Sequence, residues 1–131
     1  MTAMMPNSTT NISETASDFL RLVAAGHIRE AFGKNIGASF RHHNPFFHGD
    51  TESLMAAMEE NAAANPDMVL KIQHTLRDGN LVAVHSWIRQ EPSDLGASVV
   101  HIFRFEGHLI AELWDVWQAV PEDSPNEHGM F

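Results

Sequence analysis

The sequence predicts an α+β domain in which three short helices precede one curved, mainly antiparallel sheet. Two patterns lead to this prediction: apolar residues recur at helical spacing before residue 67, and alternate at every second position after it. Size is the third observation, because 131 residues with 44% hydrophobic content suit one domain with one core. We expect a disordered or loosely ordered segment over 1–12, the domain over 13–120, and a tail over 121–131 that docks on the body or on a partner subunit.

Capping residues and helix breakers set the bounds of the first two helices. Two residue pairs can cap the first helix, Asn11 with Glu14 or Thr15 with Asp18. This helix is predicted to end near Ala25–Gly26. The second helix is predicted over about 28–36, where Gly37 closes it.

The third helix is predicted from residue 51 to about 64. Asp50 can cap its start, and Asn65–Pro66 stops it. Met55 and Met58 fit the inner side of this helix, where methionines can give a pocket wall adaptability. Between the second and third helices, residues 39–43 are predicted to be extended before Asn44–Pro45 turns the chain.

Four strands in a meander are predicted from Asp67 onward. The alternating pattern is interrupted by turn residues at Asp78–Asn80, at Pro92–Gly96 and at Glu106–His108. The strand lengths between these turns suit neighbouring antiparallel pairs.

Alternation within each strand assigns residues to two faces of this sheet. If the polar members point the same way, His85, His101 and Asp115 converge on one face. Residues on that face are predicted to bind substrate in a pocket: His101, Trp87, Phe103, Leu113 and Trp117.

The opposite face is predicted to be almost entirely apolar. It would carry Val82, Val84, Ile88, Val100, Ile102, Ile110, Trp114 and Val116. Three helices can cover only one side of such a sheet, and an apolar face of this size is rarely left in water. We therefore expect a homodimer that packs partly through this second face.

Composition excludes several classes of function. Eight basic against seventeen acidic residues give a formal charge of −9, which repels nucleic acid and anionic membranes. The chain has no cysteine and no tyrosine, so disulfides, thiolate chemistry and phenolic proton donors are excluded. No cationic leader or apolar run opens the sequence, and we expect a cytoplasmic protein that binds neither nucleic acid nor membrane.

Asp115 is the residue that most strongly suggests a site. A carboxylate on an otherwise apolar strand must be hydrogen-bonded, be paired, or have a shifted pKa, and each case suggests a lined pocket. The structural alternative is that Asp115 accepts hydrogen bonds from His85 or from loop backbone and only holds the sheet end in register.

Four motifs in order carry a resemblance to a known family: residues 40–45 (FRHHNP), 84–87 (VHSW), 102–118 (IFRFEGHLIAELWDVWQ) and 126–131 (NEHGMF). Over about residues 15–131 the chain resembles the SnoaL-like polyketide cyclase branch of the NTF2-like superfamily. The resemblance implies a cone-shaped α+β fold around a pocket, usually dimeric, with proton-transfer chemistry that needs no cofactor and no metal. It also implies that Asp115 is the general acid/base and that His43 and His85 belong to the pocket.

A desolvated carboxylate can remove a proton next to a carbonyl while histidine polarises or protonates the oxygen. We therefore expect a small apolar carbonyl compound as ligand and an aldol-type cyclisation, isomerisation or dehydration, with Asp115, His43 and His85 as catalytic residues. A non-catalytic binding module would use the same pocket. A His–His–carboxylate metal site is a further alternative, although no close metal-ligand spacing occurs. An epoxide hydrolase would need an Asp–Arg–Asp set that Arg89 or Arg104 with Asp115 supplies only in part.

Overall fold

The computed structural model describes residues 11–131, which form three helices and a five-stranded sheet. The α+β class and the order of helices before the meander are confirmed. Of the segment predicted to be loosely ordered, residues 1–10 lie outside the described residues. Asn11 caps the first helix and Ile12 begins it. Among residues 11–131, no helix combines the length and apolar character needed to cross a membrane.

The helices form where their capping residues predict them. Helix α1 spans Ile12–Ala24, α2 spans Ile28–Asn35 and α3 spans Thr51–Ala64. The side chain of Asn11 accepts a hydrogen bond from the backbone N–H of Glu14, and Asp50 accepts one from Ser53. Helix α2 ends one residue earlier than predicted because Ile36 is extended and begins the next strand.

The sheet contains one more strand than the predicted meander. Its strands are β1 (Ile36–His42), β2 (Val69–Asp78), β3 (Leu81–Arg89), β4 (Ala97–Glu106) and β5 (Leu109–Ala119). Their order is β1-β5-β4-β3-β2, in which β1 runs parallel to β5 and the other pairs are antiparallel. The segment predicted only to be extended is therefore an edge strand, joined to the sheet by a pairing between residues about 70 positions apart.

One face of the sheet, the inner face, packs against the helices. Val84 lies opposite His101, which lies opposite Asp115, so these three residues share the inner face. His85 lies opposite Val100 on the other, outer face, so the predicted convergence of His85 with His101 and Asp115 is wrong. Val82 and Val84 are fully buried against the core, and this packing turns His85 outward.

A β-bulge in β5 moves another residue across the sheet. Arg104 pairs with Glu112, but the next residue, Phe105, pairs with Ile110, which leaves Ala111 as the extra residue. Ile110 therefore joins the inner face and is fully buried, against the prediction that it lies on the outer face. The core on this side consists mainly of Phe19, Leu20, Ile28, Phe32, Val82, Val84, Phe103, Phe105 and Ile110.

Candidate functional site

A small cavity lies between the inner face of the sheet and helices α1 and α3. It measures about 40 Å³, enough for a few water molecules. Its lining is apolar apart from four polar side chains, His42, Asn44, His101 and Asp115. The apolar lining residues are Phe19, Phe47, Leu54, Met58 and Leu113.

Asp115 is held in this cavity by Asn44. The amide nitrogen of Asn44 donates a hydrogen bond to Oδ2 of Asp115 at 3.0 Å, and the amide oxygen accepts one from the backbone N–H of Phe46 at 2.9 Å. The second bond orients the amide so that its nitrogen faces the carboxylate. Asn44 follows the end of β1, so the pairing of β1 with β5 brings it close to Asp115.

His101 is the cross-strand neighbour of Asp115. Burial lowers the pKa of His101 to about 4, although the negative charge of Asp115 acts in the opposite direction. The imidazole is therefore neutral at pH 7 and brings no positive charge to the cavity. Its Nδ1 atom is buried with no hydrogen-bond partner among residues 11–131, which is uncommon for a polar atom in a protein interior.

The low pKa of His101 predicts a pH-dependent loss of stability. Unfolding returns the pKa of His101 to about 6.5. Between pH 6.5 and 4 the unfolded chain therefore binds a proton that the folded protein does not. The stability that depends on a neutral His101 is therefore fully present above pH 6.5. It is lost as the pH falls, and the free energy of unfolding is lower by about 3 kcal/mol at pH 4. Urea denaturation of His101→Gln at several pH values should show a shallower loss than the wild type. His108→Gln, in an exposed turn, is the control and should lose stability with pH as the wild type does. If His101→Gln lost stability in parallel with the wild type, the lowered pKa of His101 would be contradicted.

His42 enters the cavity, whereas His43 lies on the outer face. His42 is buried; its Nε2 donates to the carbonyl oxygen of His48 at 2.7 Å, and its Nδ1 accepts from the backbone N–H of Asn44 at 3.2 Å. The prediction that His43 lines the pocket is contradicted. Alternation along β1, where His42 pairs with Leu113, places the next side chain on the other face.

On the outer face His43 joins a polar cluster. Its Nε2 lies 2.6 Å from Oε2 of Glu112, and its ring stacks on Trp114 with centroids 5.1 Å apart. The hydrogen bond from His43, assisted by Arg104, lowers the pKa of Glu112 below its usual range. This cluster anchors the chain directly before Asn44, and so helps to position the residue that holds Asp115.

His85 and Trp87 also lie on the outer face, away from the cavity. Nε2 of His85 is 2.9 Å from Oγ of Ser98, and Nδ1 is 3.1 Å from Nδ1 of His74. The rings of His85 and Trp87 both stack against the C-terminal Phe131, at 5.8 and 5.1 Å between centroids. Neither residue can therefore touch a ligand beside Asp115.

The remaining predicted pocket residues divide into three environments. Leu113 and His101 line the cavity. Phe103 is fully buried in the core, where it packs edge-on against Phe19. Trp117 lies on the same face of β5 as Asp115 but is 55% exposed.

Sequence reasoning did not assign His42 and Asn44 to the site, although both belong to the motif at residues 40–45. The available signal was the turn at Asn44–Pro45, since asparagine before a turn often bonds to nearby backbone. No group of three or more potential metal ligands occurs among the residues that the structure describes.

Comparisons with known proteins match this architecture. The wild-type structure of IdmH from Streptomyces antibioticus, a candidate polyketide cyclase, aligns with a TM-score of 0.66 and 19% identity over 82% of this chain and 92% of that chain. A SnoaL-like protein of unknown function from Burkholderia thailandensis aligns with a TM-score of 0.70 and 15% identity over 85% of this chain and 98% of that chain. An NTF2-like protein of unknown function from Cytophaga hutchinsonii aligns with a TM-score of 0.67 and 14% identity over 90% of this chain and 95% of that chain. At these identities the likeness establishes the fold.

Sequence comparison supplies the family. No curated protein sequence matches the chain. The model of the SnoaL-like domain matches residues 16–113, about three quarters of the chain and most of the described core. The protein therefore belongs to the SnoaL-like domain family, with the NTF2-like fold.

Proposed function

We propose that the protein binds a small, largely apolar carbonyl compound at Asp115 and catalyses proton transfer on it without a cofactor. The observation that carries the proposal is a carboxylate that faces an apolar cavity, is held by one amide, and has a neutral imidazole beside it. Apolar surroundings strengthen the electrostatic interactions of a carboxylate with a reacting group. The likeness to IdmH, described as a candidate polyketide cyclase, is consistent with this chemistry.

In this proposal each polar residue has a separate task. Asp115 takes a proton from the carbon next to the carbonyl and returns it to the same or another carbon, so no proton is lost overall. Asn44 fixes the carboxylate through Oδ2. His101, neutral at pH 7, donates its N–H to the oxygen on which the enolate charge develops. His42 is already bonded to His48 and Asn44 and serves to shape the wall.

The same geometry also supports a non-catalytic binding module. Asn44, His101 and Asp115 would then orient a ligand by hydrogen bonds, and the buried Nδ1 of His101 would be a tolerated defect in the packing. The two functions differ in one measurable respect, since only the catalytic one moves protons on the bound compound.

Exchange of the α-protons of a simple ketone in D₂O tests the proposal. We expect the protein to accelerate deuterium uptake into 2-butanone, followed by NMR at pD 7.5, above the rate in buffer alone. Saturable binding without any acceleration would favour the binding module. Absence of both binding and exchange would reject the proposed function.

We also propose that the protein is a homodimer that pairs through the outer face. Val100, Ile102, Trp114 and Val116 form an apolar patch there, although it is smaller than predicted because Val82, Val84, Ile88 and Ile110 face inward. Val116 is 66% exposed, which is unusual for a valine in a strand centre.

Light scattering after size exclusion tests the dimer. At micromolar concentration the wild type should have the mass of two chains, and Val116→Asp should have the mass of one. Ala63→Asp, at an exposed position of helix α3 on the other side of the sheet, is the matched control and should stay dimeric. A monomeric wild type would refute the interface.

A further inference from the structure

The cavity at Asp115 adjoins a second hollow. A groove of about 550 Å³ runs along helix α3 on the helical side of the domain. It is lined mainly by small and apolar residues, with Glu60 and Asn61 among them: Val23, Phe47, Ala57, Met58, Glu60, Asn61, Ala62, Ala64 and Met68. Two residues, Phe47 and Met58, line both hollows and stand between them.

The cavity alone is too small for any but the shortest members of the ligand class proposed above, such as 2-butanone. Small-molecule sites commonly enclose roughly 300–1,000 Å³, whereas this cavity has about 40 Å³. A longer compound with its carbonyl group at Asp115 must therefore extend past Phe47 and Met58. The groove lies directly beyond these two side chains.

Both dividing side chains can move at small cost. Met58 is half-buried and unbranched, with three rotatable bonds. Phe47 is 41% exposed in the turn between β1 and α3, and its backbone N–H bonds to Asn44 at 3.5 Å, a long and weak hydrogen bond. Rotation of these two side chains joins the hollows without disturbing a helix or strand.

Charge restricts what the joined space can hold. No lysine or arginine occurs among the described residues that line either hollow. Asp115 lines the cavity and Glu60 lines the groove, and His101 adds no positive charge at pH 7. Both hollows therefore disfavour an anionic ligand.

We infer that the cavity and the groove form one elongated site for an uncharged amphiphile, with a carbonyl head at Asp115 and Asn44 and an apolar tail along helix α3. The groove then favours longer chains, because each further methylene is buried against its apolar lining. This inference rests on the proposed function, because it takes the head group from there and adds the shape and charge of the ligand.

A ketone series tests the inference in the wild-type protein. We expect 2-octanone to bind at least tenfold more tightly than 2-butanone, since each methylene buried in the groove tightens binding by roughly threefold to fourfold. At pH 7.5 octanoate should bind at least tenfold more weakly than 2-octanone. The NMR signal of the Asn44 side-chain amide reports on the head group, because Asn44 lines only the cavity, and that of the Met68 methyl reports on the tail, because Met68 lines only the groove.

Paired variants on α3 locate the tail. Ala57→Trp fills the groove and should remove the advantage of 2-octanone while leaving 2-butanone binding unchanged. Ala56→Trp is the control, because Ala56 is exposed on the same helix and lines neither hollow. If 2-octanone bound no more tightly than 2-butanone, or if octanoate bound as tightly as 2-octanone, the elongated neutral site would be overturned while the proposed function stayed intact. Failure of every ketone to bind would overturn both.

Discussion

Asp115→Asn is expected to slow α-proton exchange on 2-butanone by about 100-fold to 10,000-fold, the range usual for loss of a general base. The substitution keeps the shape of the side chain, and its amide oxygen can still accept the hydrogen bond from Asn44. It removes the negative charge and the basic oxygen that takes the proton. The rate is measured by NMR in D₂O at saturating ketone, so that a change in affinity does not enter the comparison.

A matched substitution separates the loss of the base at Asp115 from the loss of one negative charge elsewhere on the protein. Asp123→Asn makes the same change in the exposed C-terminal tail and should leave the exchange rate within twofold of the wild type. Affinity for 2-butanone should also survive in Asp115→Asn if Asn44 and His101 still orient the carbonyl. Exchange that continues undiminished in Asp115→Asn would remove this residue from the mechanism.

Phe103→Ala is expected to lower the free energy of unfolding by about 3–5 kcal/mol, as for other large aromatic truncations in protein cores. The ring has no exposed surface and packs against Phe19 at 6.0 Å and Phe105 at 6.4 Å between centroids. Truncation leaves a cavity that these neighbours cannot close without moving helix α1. Urea denaturation at pH 7 measures the loss.

Trp117→Ala provides the comparison. Phe103 and Trp117 were both predicted to line the pocket, yet Trp117 is 55% exposed near the end of β5. Its truncation should cost about 1 kcal/mol or less. Equal losses at the two positions would contradict the description of Phe103 as a core residue.

Local patterns in the sequence determined the elements themselves. Asn11 and Asp50 cap helices where their side chains predict them, because capping involves only residues within one turn. The turns at residues 78–80 and 106–108 separate strands for the same reason: glycine at 79 and 107 has positive φ, which other residues rarely adopt. The position of Asp115 opposite His101 on one face also follows from alternation once β4 and β5 pair.

Tertiary structure decided which residues meet in the site. Alternation shows that Val84 and His85 face opposite ways, but only packing of Val84 into the core determines which of them turns outward. The bulge at Ala111 and the parallel pairing of β1 with β5 depend in the same way on contacts between distant segments. That pairing exchanges the expected roles of His42 and His43 and brings Asn44 to Asp115. The sequence by itself thus determined the three helices, the four strands of the meander and the acid. Long-range register determined the fifth strand and the residues that contact the acid, because a shift of one residue moves a side chain to the other face of a sheet.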